Sequence, residues 1–209
     1  MDLELDGRTA AVIGGSSGIG AAVAGVLAEE GCDVAVTYRH AHDGAQQTAS
    51  GVRGHGRRAW VVPLELDRPE SATTGAEALT AQVGGLDTVV LCAGHNVVTP
   101  FGQITVQEWQ KVLEVNLSGA FFALQAPAPL VRPGAVIVTV ASVAAHTQAP
   151  HHMHHAAAKA GLVNPTKSLA RALAPQVRVN CVAPGITLTR WARTPSTIWP
   201  MTTRPPRCC

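Results

Sequence analysis

The sequence predicts a doubly wound α/β fold, in which a mainly parallel sheet of six strands carries helices on both faces. Short runs of β-branched and other apolar residues alternate with alanine-rich stretches that have helical spacing. The strand runs are apolar almost throughout, as expected where both faces of a parallel sheet are buried. Alternating strands and helices favour parallel strands joined by right-handed crossovers.

The individual elements follow from the same patterns. Strands are predicted at 10–13, 34–38, 59–64, 88–91, 135–140 and 178–182, and helices at 18–30, 43–53, 69–83, 106–130 and 154–174. The length of 209 residues suits one substantial domain, which we place at residues 1–189. Residues 190–209 hold two Trp, four Pro and four Arg without periodicity, and we expect an irregular tail there.

Composition narrows the class of protein. Hydrophobic residues make up 46% and charged residues 14%, as in globular rather than disordered chains. No stretch reaches the length of a membrane-spanning helix, and the acidic start differs from a secretory or mitochondrial leader. Five cysteines without framework spacing favour a reducing compartment, so we expect a cytoplasmic protein with no membrane partner.

Charge is distributed unevenly along the chain. All 14 acidic residues lie at or before Glu114, whereas nine Lys and Arg residues and no acidic residue follow from Val115 onward. A basic half makes nucleic-acid binding one alternative function. The basic residues are scattered along apolar segments and do not cluster, so we expect no nucleic-acid partner.

A glycine-rich turn follows the first predicted strand. Residues 14–20 read Gly-Gly-Ser-Ser-Gly-Ile-Gly and lead directly into an alanine-rich helix. Glycines allow a tight turn and a close backbone approach to a pyrophosphate, and the helix N-terminus offers free N–H groups. The preceding strand and the following helix are the context that this motif requires. The turn therefore predicts a dinucleotide site.

Five further segments accompany the glycine turn. They are Leu-Cys-Ala-Gly at 91–94, Val-Asn-Leu-Ser-Gly at 115–119, Val-Ala-Ser-Val at 140–143, Ala-Lys-Ala-Gly at 158–161 and Pro-Gly-Ile-Thr-Leu-Thr at 184–189. With the G-x-x-x-G-x-G spacing, they resemble the short-chain dehydrogenase/reductase family over residues 7–189, with a pattern closest to 3-oxoacyl-carrier-protein reductases and glucose dehydrogenases. The resemblance implies one Rossmann-type domain that transfers a hydride between a nicotinamide cofactor and a carbonyl/alcohol substrate.

The resemblance also implies which residues contact the cofactor. NAD-preferring relatives usually carry an acidic residue at the position of Tyr38, so Tyr38 followed by Arg39 favours NADP over NAD, although Arg39 as a solvated surface residue is the alternative. Cys92 replaces an asparagine of the family. The implied contacts are Gly14, Ser16, Ser17, Gly18, Ile19, Gly20, Arg39, Glu65, Leu66, Cys92, Ala93, Gly94, Lys159, Pro184, Gly185, Thr187 and Thr189.

The catalytic set implied by the resemblance is incomplete. Ser142, Lys159 and Asn116 match the family's catalytic Ser, Lys and Asn, but His155 stands where the family has its proton-donating Tyr. An imidazole can transfer a proton, and His155 shares a helix face with Lys159, but the ring is shorter than a phenol. We therefore predict weak or absent turnover, and a non-catalytic NAD(P)-binding protein is the alternative function.

Three expectations concern neighbouring features. His151 and His155 have the spacing of a helical metal pair, but no Cys or carboxylate accompanies them, so no metal is expected. Pro165 is expected to kink or break the helix of Lys159, which puts the homodimer or tetramer of the family in doubt. The composition changes after Thr189, which leads us to expect a truncated or frameshifted member without the family's final strand.

Overall fold

The computed structural model describes residues 3–126 and 131–189. Its strands are β1 (Thr9–Ile13), β2 (Asp33–Tyr38), β3 (Ala59–Pro63), β4 (Leu86–Leu91), β5 (Val131–Val140) and β6 (Arg178–Val182). Its α-helices are α1 (Gly18–Glu29), α2 (His42–Gly54), α3 (Pro69–Val83), α4 (Val106–Leu113), α5 (Gly119–Gln125) and α6 (Met153–Ala172). A π-helical turn (Glu114–Ser118) joins α4 to α5, and a short 3-10 turn (Val143–Ala145) follows β5.

The six described strands form one sheet in the order β3-β2-β1-β4-β5-β6, and every neighbouring pair is parallel. This confirms the predicted α/β fold with a parallel sheet. The direction of winding reverses between β1 and β4, because the chain first proceeds towards β3 and then returns to the other side of β1. In sheets of this kind the crevice at the carboxyl ends of the two central strands is the usual ligand site.

The two faces of the sheet have separate apolar cores. Ala11 and Ile13 of β1 belong to the core that includes α3, α5 and α6, whereas Ala10 and Val12 belong to the core beneath α1 and α2. All residues of β1 are buried. Successive side chains of a strand point to opposite faces, so a strand covered on both sides must be apolar at every position.

Strand β5 begins earlier than the sequence predicted. It starts at Val131, and its register with β4 shifts after Leu86, which pairs with Val131. Gly134 has a φ of +87°, which favours glycine. Arg132, Pro133 and Gly134 interrupt the apolar run, and the apolar pattern alone therefore placed the strand start at residue 135.

Helix α6 corrects the expectation for Pro165. The helix runs without interruption through Pro165, so the proline does not break it. A proline inside a helix removes the hydrogen bond that its own N–H would make, and its ring crowds the carbonyl one turn earlier, so neighbouring contacts must compensate. Directly after the proline, Thr166 is buried, and its hydroxyl donates to the Leu162 carbonyl at 2.8 Å and lies 2.9 Å from the Thr139 hydroxyl of β5. The first contact lies within the helix and spans the proline, and the second holds the helix against the sheet next to it.

The helix predicted at 106–130 is divided. Its first part is α4, and the π-helical turn then inserts extra backbone before α5. Residues 127–130, which the prediction included, and the predicted tail at 190–209 lie outside the described residues. Within the described ranges, no helix is long and apolar enough to cross a membrane.

Candidate active site

The turn between β1 and α1 is shaped by contacts that only glycine allows. Gly14 has a φ of +85°, and a Cβ atom there would lie 2.6 Å from the Cα atom of Ala93. A Cβ atom on Gly20 would lie 2.2 Å from the carbonyl oxygen of Gly14. Both distances are below any normal contact, so the turn packs against the loop after β4 because side chains are absent.

Thr37, near the end of β2, attaches this turn to the sheet. The Gly14 N–H donates to the Thr37 hydroxyl at 3.0 Å, and the Gly15 N–H donates to the Thr37 carbonyl at 3.0 Å. Thr37 is almost completely buried. Thr37 was not predicted as a site residue, although a hydroxyl near the end of a largely apolar strand was the available signal.

The N-terminus of α1 has the chemistry of an anion site. Ser17 precedes the helix without capping it through its side chain, and the first turn holds no acidic residue. The first N–H groups of an α-helix have no partner inside the helix, and the helix dipole favours negative charge there. This end of α1 therefore fits a diphosphate, which the glycine turn can approach closely.

A cleft of about 510 Å³ extends from the glycine turn along the carboxyl ends of the strands. Fourteen of the site residues predicted from the sequence line it: Gly14, Ser16, Ser17, Gly18, Ile19, Gly20, Arg39, Leu66, Cys92, Ala93, Gly94, His155, Lys159 and Thr189. Eight further residues line it: Thr37, Tyr38, Leu64, His95, Asn96, Val115, Val140 and Ala141. The lining does not include Glu65, Pro184, Gly185, Thr187, Ser142 or Asn116.

Arg39 enters the cleft beside Tyr38 and is engaged by an acidic residue. Its Nη2 lies 2.8 Å from Oδ2 of Asp67, and the same oxygen lies 3.1 Å from Nζ of Lys111 in α4. The Asp67 side chain is 15% exposed, against 36% for each of the two cations. Burial alone would raise the pKa of Asp67, but the Lys111 hydrogen bond and both positive charges outweigh it, so this pKa lies below its usual value.

Lys159, on α6, is buried and reaches the cleft. Its Nζ donates to the Val140 carbonyl at 2.8 Å, and it would lie 3.7 Å from a Cβ atom placed on Gly94. Burial lowers the pKa of Lys159 to about 8, against the opposing influence of the Cys92 and Cys181 thiols. Lys159 therefore remains mostly charged at neutral pH and can donate hydrogen bonds into the cleft.

His155 lies one helical turn before Lys159 and also lines the cleft. Burial, reinforced by the positive charge of Lys159, lowers the pKa of His155 to about 4. The buried Nδ1 of its ring has no hydrogen-bond partner among the described residues. The ring is therefore neutral at physiological pH, and its orientation is not fixed by a polar contact at Nδ1.

Asn116 lies in the π-helical turn and supports the cleft from behind. It is completely buried, and its Nδ2 donates to the His95 carbonyl at 2.6 Å and to the Val112 carbonyl at 2.9 Å. Its Oδ1 accepts from the His95 N–H at 3.2 Å. Asn116 thus fixes the backbone of the loop after Gly94, and π-helical turns of this kind are common at functional sites.

Ser142 follows β5 beside the cleft. Its Oγ accepts a hydrogen bond from the Ala144 N–H at 3.2 Å and caps the 3-10 turn, the role that a serine after a strand commonly has. The Val143 N–H donates to the Pro184 carbonyl at 3.0 Å, which ties the loop after β6 to the same region. Ser142 is thus adjacent to the cleft-lining Ala141, but its hydroxyl is directed to the backbone.

The histidines near the start of α6 have separate surroundings. His154 is completely buried, with Nε2 3.0 Å from Oε1 of Glu108 in α4. His152 Nδ1 lies 3.2 Å from Oδ1 of Asn96 and 3.3 Å from the Val97 carbonyl. In the described part of the chain, no three His, Cys, Asp or Glu side chains come together as a metal site would require.

This sheet order, glycine turn and cleft can be compared with known proteins. Residues 8–197 match the family model of the short chain dehydrogenases. The chain belongs to the short chain dehydrogenase family. This confirms the resemblance found in the sequence motifs.

Relatives in this family include several oxidoreductases. The uncharacterized oxidoreductase YghA of Escherichia coli is 36% identical over 184 residues, which cover 87% of this chain and 63% of YghA. The 3beta-hydroxysteroid dehydrogenase 1 of Eggerthella lenta is 35% identical over 187 residues, which cover 87% of this chain and 71% of that protein. The chain thus spans less than two thirds of YghA.

Solved structures of short chain dehydrogenases have the same fold. A short chain dehydrogenase from Burkholderia cenocepacia in complex with NADP matches with a TM-score of 0.85 and 36% identity, covering 89% of this chain and 77% of that one. A dehydrogenase/reductase from Sinorhizobium meliloti matches with a TM-score of 0.84 and 36% identity, covering 88% and 74%.

Proposed function

We propose that this short chain dehydrogenase is an oxidoreductase that transfers a hydride between NADP(H) and a small carbonyl/alcohol substrate, with low turnover. The proposal rests on one observation above others. The glycine turn, Arg39, His155 and Lys159 line the same cleft, at the edge of the sheet where such folds bind ligands. The site for a dinucleotide and the ionisable groups for proton transfer therefore lie in one cleft.

The residues of the cleft fit a nicotinamide dinucleotide. The free N–H groups of α1 and the absence of side chains at Gly14 and Gly20 suit its diphosphate. The ammonium of Lys159 uses one hydrogen bond on Val140 and has further donors for ribose hydroxyls. The bound cofactor supplies or accepts the hydride, and the chain contributes position and a proton.

The preference for NADP over NAD is carried by Arg39. Its guanidinium lines the cleft after β2, and only part of its donor set is used by Asp67. A guanidinium can bind a phosphate through two parallel hydrogen bonds, which a ribose hydroxyl does not offer. The related Burkholderia cenocepacia structure contains NADP, which supports the same assignment for this chain.

Low turnover follows from His155. A general acid must be protonated at the working pH and must reach the substrate oxygen. The pKa of His155, lowered to about 4 by burial and by Lys159, leaves the ring neutral near pH 7. The neutral ring is a weak acid, and its buried Nδ1 has no hydrogen-bond partner among the described residues. This same observation favours the second candidate function, an NAD(P)-binding protein without catalysis.

The setting proposed for the protein follows its chemistry and family. Cys32, Cys92 and Cys181 are free thiols, which is consistent with a reducing cytoplasm. We propose a small-molecule substrate and, from the family resemblance, assembly as a homodimer or tetramer. Exposed apolar side chains of Val106 and Trp109 on α4 support contact with another copy. Nucleic-acid binding is not proposed.

Titrations with NADPH and NADH test the cofactor assignment. Wild-type protein is expected to bind NADPH more tightly, and Arg39→Ala is expected to weaken NADPH binding about tenfold while changing NADH binding little. Failure of the folded wild type to bind either dinucleotide would refute the proposal. Turnover on a panel of aldehydes, ketones and alcohols then separates the two candidates, because only the oxidoreductase gives a rate above the protein-free control.

A further inference from the structure

Asp67 lies between two cations on different elements. Its Oδ2 lies 2.8 Å from Arg39 Nη2 at the end of β2 and 3.1 Å from Lys111 Nζ in α4. Its Oδ1 is buried and has no hydrogen-bond partner among the described residues, so both cations contact the carboxylate through the other oxygen, Oδ2. Arg39 and Lys111 therefore share one carboxylate. The positive charge of each reduces the negative charge of Asp67 that is left for the other to neutralise.

The three side chains have unequal access to the cleft. Arg39 lines it, whereas Asp67 and Lys111 do not. The charge of Lys111 nevertheless acts inside it. The pKa of His95, whose residue lines the cleft, is lowered first by burial and then by the positive charges of Arg39 and Lys111. A charge outside the cleft thus influences a group within it.

We propose that Lys111 sets the preference for a 2′-phosphorylated dinucleotide by neutralising Asp67 and leaving the positive charge of Arg39 available to the cleft. This inference rests on the proposed binding of NADP(H). Lys111 acts through Asp67 and is therefore a positioning residue, since it contacts Asp67 and does not line the cleft.

The charges of the three groups give the direction of each effect. Two cations and one anion leave a net charge of +1 beside the cleft. Replacing Lys111 with Met reduces this to zero, and replacing Asp67 with Asn raises it to +2. A 2′-phosphate is attracted in proportion to that charge, whereas the uncharged 2′-hydroxyl of NADH is almost insensitive to it.

The experiment measures the dissociation constants of NADPH and NADH for wild type and three variants: Lys111→Met, Asp67→Asn and the double variant. We expect Lys111→Met to lower the NADPH-to-NADH affinity ratio about threefold to tenfold, the effect of one partly screened charge. Asp67→Asn should raise the ratio, and the double variant should return it close to the wild-type value. The effect of Lys111→Met should shrink as salt is raised, because these groups are partly exposed.

Controls separate this effect from damage to the fold and from a failure of the proposed function. Lys167→Met removes a cation from an exposed position of α6 and should leave the ratio unchanged. Retained NADH affinity shows that a variant is folded. If Lys111→Met does not fold, Lys111→Gln takes its place.

The outcomes that contradict the inference are distinct. An unchanged ratio in Lys111→Met overturns it. A ratio lowered equally by Asp67→Asn also overturns it, because Asp67 would then act by holding Arg39 in place. Absence of binding to the wild type refutes the proposed function and this inference together, whereas binding with the wrong ratios refutes the inference alone.

Discussion

The two ends of the cleft are held together in different ways. At the glycine end, Gly14 packs against Ala93, and the N–H groups of Gly14 and Gly15 donate to the hydroxyl and carbonyl of Thr37, so backbone atoms largely define the shape. At the other end, His155 and Lys159 project from α6, and the buried Nδ1 of His155 has no partner in the described chain. One end depends on backbone geometry, and the other depends on which side chain stands at a single position.

This difference explains how binding and turnover can separate. A site made from glycines and helix N–H groups persists while the turn keeps its shape. A proton-transfer site changes as soon as one ionisable group is replaced, because the reaction needs both its pKa and its reach. In this chain Lys159 retains a charged, hydrogen-bonded ammonium, while the neighbouring position carries a neutral ring.

The largest expected effect comes from restoring a proton-donating hydroxyl at the end of the cleft that holds His155 and Lys159. Relative to wild type, His155→Tyr should raise kcat by about 10²–10⁴-fold, the usual contribution of a positioned general acid. Steady-state rates with NADPH and a reactive ketone or aldehyde measure the gain. His155→Phe is the matched control, since it has the same ring without the hydroxyl. Equal rates for the Tyr and Phe variants, both folded and binding NADPH, would contradict this account of the cleft.

Acid should destabilise the fold through the same residue. The pKa of His155 is about 4 when folded and near its ordinary 6.5 when unfolded, so between these values the unfolded chain binds the extra proton. Its contribution is fully present above pH 6.5 and is lost as pH falls towards 4. The difference between these two pKa values corresponds to a total loss of about 3 kcal/mol.

Urea unfolding at pH 7.5, 6 and 5 measures this loss. His155→Phe should show a shallower decrease of the free energy of unfolding than wild type. His95 and His152, whose pKa values are also lowered by burial, contribute to both curves and cancel in the difference. Parallel curves for the two proteins would mean that His155 does not resist protonation in the folded state.

The smallest expected effect concerns the glycine end. Gly20→Ala places a Cβ atom 2.2 Å from the Gly14 oxygen, so it should lower stability by about 1–3 kcal/mol and weaken NADPH binding. Gly25→Ala, the same change on the same helix, meets no atom within 4 Å and should stabilise by about 0.5–1 kcal/mol. Thermal unfolding and NADPH titration compare them; similar results would show that the turn tolerates a side chain.

Most of the fold could be predicted because its determinants are local. Strands buried on both faces are apolar almost throughout, and in the helices between them the apolar residues recur at helical spacing. Two features could not be predicted. Arg132, Pro133 and Gly134 concealed the start of β5, and the contact between Thr166 and Thr139 supports α6 at Pro165. Both depend on partners distant in sequence.

The candidate site was less predictable than the fold. The motifs selected the glycine turn and Lys159, which line the cleft, but gave no indication that Asp67 engages Arg39 or that Thr37 anchors the turn. Those contacts join residues in or after different strands, 28 positions apart for Arg39 and Asp67 and 23 for Gly14 and Thr37, so the local pattern does not reveal them. The neutral state of His155 likewise depends on burial, which no motif records.

The π-helical turn also sets the angular phase of the helix that contains Asn116. Each residue of an α-helix advances by about 100°, so one additional residue in a turn offsets everything that follows by that angle. The offset allows Asn116 to face the cleft loop while Ala120 and Leu124 of α5 still face the core. Deleting one residue from Glu114–Ser118 would therefore force a choice, because a regular helix could keep either the asparagine or the core face in place, but not both.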